Sequence, residues 1–582
     1  MDPFLREQTG EAGGPWRRAS PDRTRAWIWI ALALTAFKLW LTAGQTLYAI
    51  GGATHDDRLF LNLAQALLHG HWLGPYDCLT LAKGPFYPMW VALVFVLGLP
   101  LLQAQQLAYA GACALVVRAL APALRRGWAR LGVYTLLLWN PISFDANEMA
   151  RVLRQEIYPT LTLLLFAGMI ALYYRRTRPW RRLTPWTVML GLGWAAFWLT
   201  REESIWIAPS LLLLGAAIAI AAWRESRAAA INIGRAAAAT MVCAAVPILT
   251  VCALNYQYYG WFGTVEFRAA AFKDAYGALL RVRPDEDLPF VPVTRATRER
   301  IYAVSPAFAE LKPYLEGQIG LDWANVSSFW THQDPQDREI GGGWFMWALR
   351  QAVQAAGHAQ TARDALDFYT RIAWEVNLAC DDGTLPAGPR RSGYQPPWQP
   401  GQMAQLMPTL VAFADYFTTF RHFSAYSPGS LGSRSELDYF RDLSRMKLSP
   451  PVEARGYQYA LPEQDALDGA KLALLQFIGK GLRKVLCVLA YASLGVWLLR
   501  GVELAWRRQL TYPFVLAVAA LGGCAACLTI CALVQVTSFP TLDIAYLAPA
   551  YPLLLLFVAS VAHDAGLAWR RFRPASGRPP AA

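Results

Sequence analysis

Long apolar runs separated by short basic clusters constrain this chain more than any other feature. Of its 582 residues, 55% are hydrophobic and only 16% are charged. An α-helix needs about 20 consecutive apolar residues to cross the hydrocarbon core of a bilayer, and several runs approach or exceed that length. The sequence therefore predicts an all-α polytopic membrane protein.

The distribution of charge argues against a nucleic-acid partner, although the net charge is +13. Between residues 259 and 465 there are 20 basic and 24 acidic residues, a net charge of −4, so the rest of the chain carries +17. That excess lies mostly in short clusters between apolar runs. Such clusters mark cytoplasmic loops under the positive-inside rule and are not a nucleic-acid footprint.

No cofactor or metal is predicted. Of the nine cysteines, Cys524, Cys527 and Cys531 lie inside an apolar run, where cysteine acts as a small hydrophobe. The tract Gly341-Gly-Gly-Trp344 lacks the preceding strand and the Lys-Ser/Thr of a phosphate-binding loop.

The basic clusters also predict the topology. The first apolar run, residues 26–50, is interpreted as an uncleaved anchor with a cytoplasmic N-terminus, which places Asp57 outside. Arg125, in a basic cluster, should be inside. Two apolar stretches, 86–99 and 102–124, lie between Asp57 and Arg125, and a change of side requires an odd number of crossings. One of the two stretches therefore does not cross the membrane. Residues 86–99 are short and bracketed by prolines, and are interpreted as interfacial or re-entrant. About ten crossings follow: 26–50, 102–124, 128–144, 157–174, 185–200, 204–223, 236–258, 482–500, 512–536 and 543–563.

These crossings divide the chain into five parts, with an extracytoplasmic soluble domain that is mixed but mainly helical. Within that domain, Trp344–Ala356 and Ala362–Cys380 are predicted helices. The parts are a cytoplasmic basic tail (1–25), an N-terminal transmembrane module (26–258) with a catalytic outer loop (51–101), the soluble domain (259–465), a C-terminal transmembrane module (466–563) and a cytoplasmic tail (564–582).

The outer loop carries the strongest candidate site. Thr54 and Asp57 have the spacing of a capping box, and the apolar residues that follow predict an amphipathic helix on the membrane surface. Two adjacent carboxylates, Asp56 and Asp57, are followed by Lys83 in the tract Lys83-Gly-Pro-Phe-Tyr-Pro88. This pattern suits activation of a hydroxyl near a lipid phosphate. The alternatives are plain helix capping for the carboxylates and snorkelling to the interface for Lys83.

Other predicted outward-facing loops collect charged residues as well. Arg201, Glu202 and Glu203 lie in a very short connection between two apolar runs, where solvation is limited. Mid-span, Lys38 is expected to form a structural ion pair. The remaining outer residues of interest are Asp145, Glu148, Arg151, Arg154, Glu156, Asp543 and Tyr546.

This order of features resembles the GT-C fold glycosyltransferases that use polyprenyl-phosphate sugars, the group of protein mannosyltransferases and aminoarabinose transferases. The features are a first span, an outer acidic pair, an amphipathic helix and the Lys83-Gly-Pro-Phe-Tyr-Pro88 tract. The resemblance covers residues 26–260 and, more loosely, the last spans. It implies a GT-C-like bundle with juxtamembrane helices and an acidic catalytic residue in the first outer loop.

The resemblance also implies roles. Asp56 or Asp57 would be the general base, Lys83 and Arg201 would bind the donor phosphate, and Glu202 or Glu203 would orient acceptor or sugar. The last span departs from the family, because Ala545-Tyr546-Leu-Ala-Pro549 stands where many relatives carry an Arg-Tyr tract. The full set of predicted substrate-binding residues is His55, Lys83, Tyr87, Arg151, Arg154, Arg201, Glu202, Glu203 and Tyr546.

The resulting hypothesis is an inverting transfer of a sugar from a polyprenyl-phosphate donor to a glycan, lipid or protein acceptor. The transfer would occur at the extracytoplasmic face of a bacterial-type inner membrane. The alternatives are a transporter or lipid flippase with an outer domain, and a non-catalytic assembly subunit. A transporter would predict internal repeats and broken midplane helices, and the sequence shows no convincing repeat.

Overall fold

The computed structural model describes residues 21–450 and 462–572, and within them the regular structure is helical, with isolated β-bridges but no strand. Residues 259–465 are called the outer segment, after their predicted location. The helices before it are α1 Pro21–Thr42, α2 Asp57–Leu68, α3 Phe86–Val96, α4 Leu101–Leu120, α5 Gly127–Leu138, α6 Tyr158–Arg175, α7 Trp180–Trp198, α8 Ala208–Glu225 and α9 Arg227–Tyr259. Those of the outer segment are α10 Ala270–Arg281, α11 Arg295–Val304, α12 Pro306–Ala309, α13 Lys312–Leu315, α14 Gln318–Thr331, α15 Gly342–Ala355, α16 Ala362–Asp381, α17 Gln402–Thr419 and α18 Arg434–Ser444. The last are α19 Pro462–Trp506, α20 Tyr512–Thr537, α21 Ile544–Leu547 and α22 Tyr551–Phe572.

The prediction of an all-α polytopic protein is confirmed, and each of the ten predicted spans overlaps a helix. By length and composition, five helical stretches of the described residues could cross a membrane, or six if the pair α3–α4 is one span. The five are Ser204–Glu225, Arg227–Tyr259, Glu463–Trp506, Tyr512–Thr537 and Ile544–Arg570. The total of ten crossings stays a prediction, and Arg17, Arg18 and Arg573 of the basic clusters lie outside the described residues.

A sharp bend separates α3 from α4. Their axes meet at 107°, over a break that contains Gly98 and Pro100. Gly98 has a φ of 72°, a left-handed conformation that glycine adopts without steric cost. Such a bend is what the interpretation of residues 86–99 as interfacial or re-entrant requires.

Two sequence expectations are corrected in the bundle. The predicted span 128–144 is shorter, because α5 ends at Leu138 and Pro141 opens a 3₁₀ turn, Pro141–Phe144, capped by Asn140. Lys38 does not form the expected ion pair with a described residue. Its Nζ donates hydrogen bonds to the Leu138 carbonyl (2.9 Å) and to Ser143 Oγ (2.7 Å) instead.

The outer segment contributes to two different cores. Apolar residues between Val265 and Leu385 pack into a separate core built mainly on α10, α15 and α16. The later helices α17 and α18 instead join the core of the membrane bundle through residues such as Phe417 and Phe440. The domain limits at 259 and 465 stay predictions. The residues between these limits pack into two separate hydrophobic cores.

The chain that leads to the acidic pair is held by that second part of the outer segment. Leu47 forms an isolated parallel bridge with Leu448, and Ile50 forms another with Leu431. The Gly51 amide donates to the Leu431 carbonyl at 2.7 Å. Although residues 43–56 form no helix, backbone hydrogen bonds to a segment nearly 400 residues later therefore fix their position.

Candidate functional site

Asp56 and Lys83 form an ion pair within a cluster of charged side chains that is called the charged cleft below. Its other members are Asp57, Arg151, Arg154, Arg201, Glu202 and Glu203. The Asp56 side chain is 53% exposed, whereas that of Lys83 is 8% exposed and lies over the rings of Phe60 (5.2 Å) and Trp347 (5.6 Å). Burial alone would raise the pKa of Asp56, but Lys83, with smaller contributions from Arg151 and Arg154, lowers it to about 2. Asp56 is therefore an ionised, accessible carboxylate beside a buried cation.

Asp57 has a different environment. Its side chain is fully buried, and Arg151 donates to it through Nε (3.1 Å to Oδ1) and Nη2 (2.6 Å to Oδ2). Burial raises the pKa of Asp57, although the Arg151 guanidinium acts in the opposite direction. Arg151 also donates to Glu148 Oε2 at 3.3 Å. Such a fork-to-fork pair fixes orientation, so Asp57 holds the loop that carries Arg151.

The predicted capping box is wrong. Helix α2 begins at Asp57, and Asp56, in the N-cap position, makes no side-chain capping bond. The Thr54 hydroxyl instead lies 3.0 Å from His55 Nδ1. The Asp56 carboxylate thus pairs with Lys83 and the Asp57 carboxylate with Arg151.

The connection between α7 and the 3₁₀ turn Ser204–Ile207 forms the opposite wall of the cleft. Arg154 Nη1 donates to Glu202 Oε1 at 2.7 Å, and the Gly84 amide donates to the same oxygen at 3.3 Å. A side chain at Gly84 would overlap the carbonyl oxygen of Leu199. The loop that carries Lys83 is therefore packed directly on this connection.

Arg201 joins that connection to the start of the last helices. Its Nη1 donates to the Ala545 carbonyl at 3.1 Å, its Nε lies 3.3 Å from Glu203 Oε2, and its guanidinium lies 5.5 Å from the centre of the Tyr546 ring. Glu203 is 53% exposed, and Arg201 together with Arg154 lowers its pKa to about 2 against the effect of burial. Glu203 is thus a second accessible carboxylate in the cleft.

His55 and Tyr87 lie at the margins of the cleft. The ring of His55 meets the edges of Trp323 (4.6 Å) and Trp347 (5.2 Å), and burial and Lys83 lower its pKa to about 4. Tyr87 is fully buried, and its hydroxyl accepts a hydrogen bond from Gln105 Nε2 at 3.3 Å. His55 is therefore neutral near pH 7, and Tyr87 lies in the wall behind the site.

Two contributors to the cleft were not predicted from the sequence, Arg268 and Trp347. Arg268 donates to the carbonyls of Trp198 (3.2 Å), Arg201 (2.6 Å) and Glu202 (3.0 Å), so it binds the end of α7 and the connection after it. Trp347 of α15 covers Lys83. Both come from the outer segment, and no local pattern links either to residues 83 or 201.

Among the described residues, no group of three or more His, Cys, Asp or Glu side chains is arranged to hold a metal ion. The cleft combines cations with two accessible carboxylates, at loops that join apolar helices. Chemically, this arrangement of cations and accessible carboxylates suits an anionic group and the acceptance of a proton.

The fold and the cleft define a multi-pass, all-α membrane protein with a charged site at the ends of its helices. No family model matches the chain, and no curated protein matches it. Two solved structures of ArnT from Cupriavidus metallidurans do match. The apo structure has 12% identity and a TM-score of 0.29 over 93% of this chain and 78% of that chain. The structure bound to undecaprenyl phosphate has 11% identity and a TM-score of 0.30 over 94% and 79%.

The low identity and TM-score give no residue-by-residue correspondence. The roles of the site residues are therefore assigned from this chain's own contacts.

Proposed function

We propose that the chain is an integral membrane glycosyltransferase that moves a sugar from a polyprenyl-phosphate donor to a glycan, lipid or protein acceptor. Its site would face the extracytoplasmic side of a bacterial-type inner membrane. The observation that carries the proposal is the Asp56–Lys83 pair, in which a half-exposed carboxylate contacts a buried lysine. A cation for the donor phosphate and a base for the acceptor hydroxyl are thereby adjacent.

In the proposed reaction, the cations stabilise the leaving phosphate and Asp56 accepts the proton of the acceptor hydroxyl. The acceptor oxygen attacks the anomeric carbon from the face opposite the phosphate, and the bond between that carbon and the phosphate oxygen breaks. The electron pair leaves with the polyprenyl phosphate, whose added negative charge Lys83 and Arg201 stabilise. The acceptor proton passes to the Asp56 carboxylate, and the configuration at the anomeric carbon is inverted.

Donor binding would also prepare Asp56. With a pKa of about 2, the carboxylate paired with Lys83 is a weak base. A donor phosphate bound to Lys83 would weaken the interaction between Lys83 and Asp56 and add a negative charge nearby. Both effects raise the pKa of Asp56 toward the range in which a general base is effective. The base is thus activated only when the donor is present.

A transfer assay tests the proposal against the two alternatives. Membranes containing the full chain are supplied with labelled polyprenyl-phosphate sugars, and label transferred to an acceptor is measured for the wild type and Asp56→Asn. We expect transfer by the wild type and its loss in the variant. The matched control is Asp442→Asn, which changes a carboxylate that is 68% exposed on α18. Movement of labelled lipid across the membrane without transfer would instead support a flippase, and neither activity would support an assembly subunit.

A further inference from the structure

Helix α19 carries basic residues at both ends of its apolar stretch. Residues 485–499 contain no charged side chain; Arg500 follows them, and Lys480, Arg483 and Lys484 precede them. At a rise of about 1.5 Å per residue, Lys484 and Arg500 are about 24 Å apart, which is comparable with the thickness of the hydrocarbon core of a bilayer. If Arg500 belongs to a cytoplasmic cluster, the other three cations lie on the opposite side, where the positive-inside rule does not explain them.

These three cations lie at the same end of the bundle as the charged cleft. Just before them in α19, Gln476 Oε1 accepts a hydrogen bond from the Ala425 amide at 2.7 Å. The neighbouring Ser424 amide donates to Asp145 Oδ1 at 2.9 Å, in the loop that also carries Arg151. The membrane leaflet that the cations meet is therefore the one on the side of the cleft.

Lys480 and Lys484 lie on an exposed, otherwise apolar stripe of α19. Positions 477, 480, 484, 488 and 491 recur at helical spacing and so share one face. The apolar members of the stripe, Phe477, Val488 and Tyr491, are each more than half exposed. Both lysines are exposed as well, and neither forms an ion pair with a described residue. Two unpaired ammonium groups are thus held among side chains that suit contact with lipid.

The last turn of α17 borders this stripe. The Thr418 hydroxyl lies 3.1 Å from the hydroxyl of Tyr491. One turn further toward the lysines, Arg483 Nε donates to the Thr419 carbonyl at 3.1 Å. The junction of α17 and α19 therefore places a guanidinium group beside the two ammonium groups.

The charges at this junction favour an anion. Arg421, in the turn after α17, is close enough for its positive charge to act on Arg483. Arg421 pairs with Asp415 at 2.8 Å, whereas Arg483 forms no ion pair with a described residue. Together with Lys480 and Lys484, four cations and one carboxylate leave a net charge of +3. Basic clusters of this kind at a membrane surface attract anionic lipid headgroups.

We propose that Lys480, Arg483, Lys484 and Arg421 form a binding site for the headgroup of one anionic phospholipid of the surrounding bilayer. The lipid phosphate would contact the ammonium and guanidinium groups, and the acyl chains would lie along the stripe toward Val488. Because the stripe faces the bilayer, a bilayer lipid reaches it without entering the cleft. The inference does not depend on glycosyl transfer, because it concerns only lipid binding.

The test titrates the full chain, purified in a non-ionic detergent, with phosphatidylglycerol and separately with zwitterionic phosphatidylcholine. Native mass spectrometry counts the lipid molecules that the protein retains. We expect one phosphatidylglycerol to bind at concentrations at which phosphatidylcholine does not. The double variant Lys480→Gln, Lys484→Gln should raise the half-saturating concentration about 30-fold, because each lysine near an anionic lipid surface contributes about fivefold. Each single variant should raise it about fivefold.

The matched control removes the same charge from the other end of the bundle. Arg125→Gln with Arg126→Gln changes two exposed residues and should leave the titration unchanged. Equal losses in the two double variants would mean that the lipid responds only to net charge. Equal binding of the two lipids would leave the lysines as snorkelling side chains. Displacement of phosphatidylglycerol by excess inorganic phosphate or polyprenyl phosphate would assign the surface to free phosphate or to the donor. Each of these three results would overturn the proposal.

Discussion

Asp56 and Asp57 are neighbours in the chain, but their side chains enter different environments. Asp56 is half exposed against Lys83, whereas Asp57 is buried against Arg151. A carboxylate that takes a proton from a substrate must be reachable, and one that orients a buried arginine need not be. Of the two, Asp56 is therefore our candidate for the proposed base.

Amide substitutions separate these two roles. Asp56→Asn cannot accept the proton, so we expect turnover to fall by about 10²–10⁴-fold, with melting temperature and donor binding near those of the wild type. Asp57→Asn leaves Arg151 with Glu148, at 3.3 Å, as its remaining carboxylate partner, and we expect it to cost about 3 kcal/mol of stability. Steady-state kinetics and thermal melting check both. Full activity in both variants would mean that the pair is not catalytic.

Lys83 and Arg201 are expected to bind the phosphate of the donor. Lys83→Ala and Arg201→Ala should each raise the donor KM, because each removes a charge-assisted contact worth about 1.5–3 kcal/mol. Only Lys83→Ala should also change the pH profile. Lys83 lowers the pKa of Asp56 and burial raises it, so without Lys83 the acid limb of kcat/KM should move from below about pH 3 to above about pH 4. Identical profiles for the two variants would argue against Asp56 as the base.

At the scale of elements, the site depends on close packing between the loop before α3 and the loop after α7. The Lys83-Gly84 tract packs on residues 199–202, where the Gly84 amide binds Glu202 and the Phe86 amide donates to the Leu199 carbonyl at 3.2 Å. Arg268 binds the same connection from the outer segment. Apart from Phe86, which begins α3, and Arg268, which ends a 3₁₀ turn, these residues lie outside the helices, so contacts and not helix geometry set their positions.

Gly84→Ala tests this packing. The new methyl group would overlap the Leu199 carbonyl oxygen, which belongs to the backbone and cannot move alone. We expect a loss of about 1–3 kcal/mol of stability and a larger loss of activity, as Lys83 is displaced. The matched control is Gly52→Ala, because nothing lies within 4 Å of an added methyl group there. Equal effects of the two substitutions would contradict the close packing.

At the scale of the whole molecule, topology decides which loops can share one face of the membrane. The cleft collects loops that follow α1, α2, α5 and α7, and the tract before α22. These loops meet only if α3 does not cross the membrane as a separate span. The bend of 107° between α3 and α4 agrees with that requirement.

Cysteine labelling checks this topology. In a variant without the nine native cysteines, a cysteine placed at Arg125 or Arg126 should resist an impermeant reagent applied from outside. A cysteine placed at Asp77 should react with it. After the membrane is permeabilised, both positions should react, which controls for access. Outside reactivity at the arginine loop would overturn the arrangement.

The sequence by itself determined the helical class and the approximate location of the helices, because hydrophobic length and basic clusters are local signals. It also singled out Asp56, Lys83 and Arg201, since charges beside apolar runs are unusual. It assigned Asp57 to a capping box and Lys38 to an ion pair, and neither interaction forms within residues 21–450 and 462–572.

Only the tertiary structure decided which residues of the site contact one another. The Asp57–Arg151 pair joins residues 94 positions apart, and Arg201 reaches Ala545 across 344 positions. Trp347 and Arg268 follow no periodic pattern that links them to the site. The physical reason is that burial and Coulomb interactions depend on distances in space, which the packing of helices far apart in sequence sets.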